Sequence, residues 1–300
     1  ISSSYESIKD LVDVVFGLTH ATLENDKKIA KLLPNVPLIM GGHEHAHSNN
    51  LVGNVQISKA DANAKTVYIH KITYDKHTGK TSVSSKLKEI NSSIKTDKKV
   101  GSIVKKWQTI LVAQIKNVIQ YPNEVIFEAK TPLDGRDTPI RSVQTNLGQV
   151  ITKAMSFAFN DKVDCALVNG GSIRIDDQLS GPVTAVDIFR VLPYGGGVLK
   201  VGIKGSLLER VLNYGIEAQG KGAYLQRFNA KKLDKIWMIK NRPLDKSKTY
   251  TVAFSDYLLK GLDIPFLTSN NSGISSVIQP KNKELAFDIR KVVINYLKTL

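Results

Sequence analysis

Four of the six histidines lie between positions 20 and 47. His20 follows an apolar run over 12–18, and His43 and His45 alternate directly after Pro37-Leu38-Ile39-Met40-Gly41-Gly42. Neutral imidazoles at the ends of two strands suit a divalent ion such as Zn, Cu, Fe or Ni. The Gly41-Gly42 pair permits a tight turn that would present the following imidazoles to one point. His47 reads as a surface residue, His70 as a strand residue and His77 as part of a turn.

The elements that must position these rings follow from the pattern. Residues 12–20 read as a buried strand, 25–33 as a short amphipathic helix closed by Pro34 and Pro37, and 37–40 as a second strand. Strand, helix, strand with histidines past both strand ends is an α/β arrangement, and ligands gather at such carboxyl ends. Residues 51–90 alternate in polarity, which predicts antiparallel strands. A long helix is expected from 96 to about 119, with Val100, Ile103, Val104, Trp107, Leu111, Ile115 and Val118 on one face. It divides the chain into three segments: 1–93, a linker helix at 94–120, and a second unit at 121–300.

In that second unit, a helix is expected from Asn146, with Asn146 itself as N-cap. Residues 164–168 predict a buried strand that runs into Asn169-Gly170-Gly171-Ser172-Ile173-Arg174. Ser206-Leu207-Leu208-Glu209 reads as a capping box. Residues 235–239 and 251–254 read as strands and 284–297 as the final helix.

Composition narrows the classes. The 300 residues are 42% hydrophobic and 23% charged, as in an ordinary globular chain. No apolar run approaches the ~20 residues that a membrane span needs. The single cysteine, Cys165, excludes an internal disulfide. The net charge of +15 is spread as +3 over 1–95, +4 over 96–120 and +8 over 121–300. Its densest stretch, 221–248, reads as solvated surface, and no nucleic-acid-binding motif accompanies it, so no nucleic-acid partner is expected. The chain opens at Ile1 within a helix-like pattern and shows no leader, which reads as a processed product or a fragment.

Two resemblances then emerge. Leu18-Thr19-His20 followed by Gly41-Gly42-His43-Glu44-His45 resembles the late metal-binding motifs of calcineurin-like metallophosphoesterases. The resemblance implies two divalent ions, Zn, Mn or similar, with His20 and His43 on one and His45 on the other. Such ions polarise phosphate and supply hydroxide for in-line attack. The family's earlier motifs, which include the catalytic histidine, are expected upstream of Ile1. On that reading the site here is partial and the fragment alone is inactive.

Thr145-Asn146-Leu147-Gly148-Gln149-Val150-Ile151, Asn169-Gly170-Gly171-Ser172-Ile173-Arg174 and Leu192-Pro193-Tyr194-Gly195-Gly196 are similar, in order and spacing, to the C-terminal domain of 5′-nucleotidases. The similarity implies that Arg141 and Arg174 meet the phosphate-bearing end of a nucleotide, that Asn169 bonds the base, and that Asp263 bonds the ribose. Guanidinium forks suit such oxygens, and Arg136 is a further cation candidate. Tyr194 and Tyr257 stand where the family has an aromatic clamp, usually Phe.

The implied fold is α+β: the back half of an α/β metallophosphoesterase sandwich, a long linker helix and an α/β substrate-binding domain. The implied activity is hydrolysis of a nucleotide to a nucleoside and phosphate. UDP-sugar hydrolysis, 2′,3′-cyclic-nucleotide phosphodiester cleavage, or nucleoside binding without a complete metal site are the alternatives. The family's usual home is the periplasm or cell surface.

Overall fold

A computed structural model describes residues 1–117 and 119–300. Val118, assigned from the sequence to the apolar face of the long helix, lies outside the described residues. The fold is α+β, and the chain divides into two compact units, Ile1–Ser102 and Ile103–Leu300. The division falls inside helix Lys98–Lys116, within the 94–120 segment expected to link the two.

The first unit contains α1 (Ser2–Glu6), β1 (Gly17–Leu18), α2 (Leu23–Leu32), β2 (Leu38–Gly41), β3 (Ser48–Val52), β4 (Val55–Lys59), β5 (Thr66–Asp75) and β6 (Lys80–Glu89). β1, β2, β4 and β3 form a sheet in that order, parallel except for the β3–β4 pair. Ala30, Leu33 and Val36, from α2 and the loop after it, pack on Ile39, Val55 and Ile57. β5 and β6 form the expected antiparallel hairpin. The expected strand at 12–20 is a correction: only two residues pair, β1 is an edge strand, and Leu18 is 85% exposed.

Next comes α3 (Lys98–Lys116), of which Ile115 is buried while Val100, Ile103, Trp107 and Leu111 are exposed. The second unit holds β7 (Val125–Asp134), α4 (Asp137–Ile140), α5 (Asn146–Phe157), β8 (Cys165–Asn169), β9 (Gln178–Thr184), α6 (Ala185–Val191), β10 (Val198–Lys204) and α7 (Gly205–Glu217). It continues with β11 (Leu225–Phe228), β12 (Ala230–Leu233), β13 (Ile236–Ile239), β14 (Arg242–Pro243), β15 (Thr249–Ser255), β16 (Ile274–Ile278) and α8 (Ile289–Leu297).

Its central sheet has the order β11-β8-β15-β10-β16, with β8 and β15 parallel and the other pairs antiparallel. Both faces are covered, and β8 shows how. Ala166 and Val168 point into a core built with α5, α6 and α8. Cys165 and Leu167 point the other way, into a core built with α7. The period-two alternation of a strand is here apolar on both faces.

Local capping differs from expectation at three points. Thr145, not Asn146, caps α5, its Oγ1 accepting from the Gly148 N–H at 3.0 Å. Asn146 is drawn away: its Oδ1 accepts from the Asp134 N–H and its Nδ2 donates to the Pro132 carbonyl. Ser206 forms no cap on α7, whereas Thr184 and Asp187 form a capping box on α6. The final helix starts at Ile289, after a separate 3₁₀ turn, Leu285–Phe287. The basic 221–248 run is partly tied down rather than wholly solvated: Lys246 pairs with Glu209 at 2.8 Å, and the Arg227 guanidinium lies 5.3 Å from the Trp237 ring centre.

Candidate functional site

The parallel pairing of β8 with β15 brings the carboxyl ends of both strands to one edge of the sheet. With Leu167 opposite Phe254, β8 ends at Asn169 beside the Ser255-Asp256-Tyr257 turn. β10 runs antiparallel to β15 with Val198 opposite Ser255, so the loop 192–197 enters at the same edge. There the Asp256 N–H donates to the Gly197 carbonyl at 2.9 Å, and the Ile289 N–H to the Gly196 carbonyl at 2.9 Å. The loop carrying Tyr194 is thereby fastened to the turn carrying Tyr257 and to the start of α8.

These elements enclose a cavity of about 470 Å³. All six substrate-contact residues expected from the sequence, Arg141, Asn169, Arg174, Tyr194, Tyr257 and Asp263, line it. Arg136 does not: two residues from Asp134, its guanidinium folds back on that carboxylate at 2.8–2.9 Å. The Asp134 carboxyl is held below its ordinary range chiefly by the Arg136 hydrogen bond, which outweighs burial.

The walls form a hydrogen-bonded chain. Ser172 Oγ donates to Asn169 Oδ1 at 2.6 Å, and Asn169 Nδ2 donates to Asp263 Oδ2 at 2.7 Å. The Tyr257 hydroxyl donates to Asp263 Oδ1 at 3.3 Å. Burial, and then the Asp263 charge, push the Tyr257 phenol above its ordinary value. Arg141 Nη2 pairs with Asp137 at 2.7 Å, while its buried Nε has no hydrogen-bond partner among the described residues. Ser255 Oγ is a second buried lining atom without one. Unsatisfied buried donors and acceptors are costly unless a ligand or water meets them.

Gly170 is required for the close approach of two segments. A Cβ there would lie 2.7 Å from the Ile140 carbonyl oxygen, next to Arg141. Ser172, Asp256 and Lys260 also line the cavity and were not singled out from the sequence. Each lies inside or beside a motif that was, but no spacing rule marks it.

In the first unit, β1 and β2 end side by side with Leu18 opposite Met40, and the Thr19 N–H donates to the Met40 carbonyl at 2.8 Å. This brings the His20 and His43 rings to 5.3 Å between centres, tilted by 50°. The turn is made differently from expectation. His45 is the residue at positive φ, +60°, whereas Gly41 and Gly42 are not among the positive-φ residues. Gly41 instead gives room, since a Cβ there would meet Thr19 Oγ1 at 3.0 Å and Lys59 Cε at 3.3 Å. Two imidazoles are a fitting nitrogen donor pair for a borderline divalent ion. Among the described residues, however, no three His, Cys, Asp or Glu side chains converge as a ligand group. His47 is held by Asp61, Nδ1 to Oδ2 at 2.9 Å.

Lys59 lies beneath these loops. Its ammonium meets Asp26 Oδ2 at 2.8 Å, Glu44 Oε2 at 2.5 Å and the Ala21 carbonyl at 2.7 Å. Burial opposes its charge, but the bonds from Asp26 and Glu44 prevail and raise its pKa. Burial likewise pushes the Glu44 carboxyl up, and the bonds from Lys59 and the Leu23 N–H more than reverse that.

Residues 125–268 match the family model described as 5′-nucleotidase, C-terminal domain. The mouse 5′-nucleotidase is 25% identical over 302 residues, covering 84% of this chain and 51% of its own length. Endonuclease YhcR of Bacillus subtilis is 30% identical over 182 residues, which is 59% of this chain and 14% of that protein. Among solved structures, a 5′-nucleotidase precursor from Thermus thermophilus superposes with a TM-score of 0.75 at 22% identity, covering 99% of this chain and 63% of that one. Residues 125–268 are thus similar to the C-terminal domain of 5′-nucleotidases. The chain is similar to a family of nucleotide phosphohydrolases, and it spans about half the length of the curated 5′-nucleotidases it matches. Among the described residues no helix is long and apolar enough to cross a membrane.

Proposed function

We propose that the second unit grips the nucleoside part of a nucleotide and serves as the substrate-binding domain of a metal-dependent 5′-nucleotidase. The reaction is nucleotide plus water to nucleoside plus phosphate. The observation that carries this reading is the cavity at the β8 and β15 carboxyl ends, where two tyrosines, two arginines, Asn169 and Asp263 meet. Tyr194 and Tyr257 hold the base by stacking, each stack contributing ~1–3 kcal/mol by analogy with single-stranded nucleic acids. Asp263 accepts from ribose hydroxyls, Asn169 reads the base, and Arg141 and Arg174 neutralise the phosphate end.

His20, His43 and His45 are proposed as the ligands this chain offers to the divalent ions. When bound, such ions polarise the phosphoryl group and lower the pKa of water. The periplasm or cell surface is the proposed location, in keeping with the family resemblance. The test is titration calorimetry of adenosine and AMP into the full chain. Saturable binding that Tyr194→Ala and Tyr257→Ala each weaken supports the reading, and unchanged affinity in both variants sinks it.

A further inference from the structure

In the first unit, the buried Lys59 ammonium ties three separate elements to one atom. Its side chain and that of Asp26 are both 0% exposed. Two oxygens accept hydrogen bonds from the ammonium, the Ala21 carbonyl just after His20 and Glu44 between His43 and His45, and Asp26 of α2 forms an ion pair with it at 2.8 Å. A charge buried this deeply is tolerable only when fully partnered. The second Glu44 oxygen accepts from the N–H of Leu23, the first residue of α2. The two histidine loops are therefore braced from below through one atom.

The brace is needed because the backbone ladder is so short. β1 pairs with β2 over two residues, and the Thr19 bond to Met40 continues it by one step. Past that point His20 and His43 diverge onto loops. The end of β4 supports the second loop at further points: the Asp61 carboxylate accepts from the His47 N–H at 2.8 Å, and the Ala62 N–H donates to the His45 carbonyl at 3.1 Å.

We propose that Lys59 is a positioning residue that holds His20 and His43 as a preformed donor pair for a divalent cation. This rests on the reading of those histidines as metal ligands. The experiment is Zn²⁺ titration of the full chain, followed by the NMR signals of the imidazole nitrogens, on wild type, His20→Ala, His43→Ala, Lys59→Met and Glu44→Gln. Thermal unfolding and adenosine affinity are recorded for each as checks on folding.

The expected result is Zn²⁺ binding that is lost in both histidine variants. Affinity should fall about ten- to a hundredfold in Lys59→Met, the usual size of an outer-shell effect, and at least severalfold in Glu44→Gln, with adenosine affinity unchanged. If wild type fails to bind Zn²⁺ through His20 and His43, the metal reading falls and the positioning role falls with it. If wild type binds through them and a folded Glu44→Gln binds equally well, the metal reading stands and the positioning role is overturned. Should Lys59→Met unfold the first unit, Glu44→Gln decides alone, because it leaves the Lys59–Asp26 pair in place.

Discussion

Asn169 and Asp263 are 94 positions apart in the chain and joined by a 2.7 Å hydrogen bond, from Asn169 Nδ2 to Asp263 Oδ2. With Ser172 donating to Asn169 Oδ1, the amide is oriented from both ends. The Asp263 carboxylate is likewise set in place by Asn169 and Tyr257 before any ligand arrives. Hydrogen bonds to a charged group contribute ~1.5–3 kcal/mol, so Asp263→Ala should weaken adenosine binding about ten- to a hundredfold. Ser172→Ala, which loosens only the orientation, should cost less. Calorimetry on both variants checks the order, and equal losses would contradict it.

Tyr194 offers a clean separation of stability from binding. It is 76% exposed, and substitutions at such positions usually change stability by less than about 0.5 kcal/mol. Tyr194→Ala should leave the denaturation midpoint where it is and lower nucleoside affinity about tenfold. A shifted midpoint with unchanged affinity would make the ring structural.

Gly196 has φ +95°, and a Cβ on it would lie 2.5 Å from Asp256 Oδ1. Gly220, at φ +81°, has open space around it. Gly220→Ala should therefore cost only backbone strain, about 1 kcal/mol, with no effect on binding. Gly196→Ala should cost more and weaken nucleoside binding, because it pushes the Tyr194 loop off the Tyr257 turn. Chemical denaturation and calorimetry on the pair test this.

The Tyr257 phenol, raised by burial and then by Asp263, makes stability depend on alkaline pH. In the unfolded chain tyrosine loses its proton near pH 10, while the folded site still retains it. Unfolding is then favoured as pH rises from about 10 through the folded value, and below pH 10 the contribution is fully present. Asp263→Asn should bring the phenol back toward its ordinary value, as followed by carbon NMR of labelled tyrosine. No movement would mean that burial alone sets the shift.

Much of the second unit was legible because its site is built from contiguous motifs at strand ends. Asn169 through Arg174 follow β8 directly and Tyr257 follows β15, so the motifs whose family resemblance implied these residues lie contiguous in the chain. What the sequence could not reveal was pairing across distance. Lys59 reads as an ordinary lysine at a strand end, and its burial depends on Asp26 and Glu44, which reach it from α2 and from the His43 loop. Arg136 reads as a cation for phosphate, but its neighbour Asp134 takes it. Thr145 and Asn146 are both good caps, and the choice between them is made by the Asp134 N–H. The apolar run at 12–18 suggests a buried strand, but edge position is a property of the sheet, not of the run.

The fastening of the Tyr194 loop has a calorimetric consequence. A large ring is kept in water by backbone bonds to Asp256 and Ile289, so its apolar face is dehydrated only when a ligand covers it. Burial of apolar surface gives a negative heat-capacity change. Nucleoside binding should therefore grow steadily more exothermic on warming, and part of that slope should vanish with the Tyr194 ring.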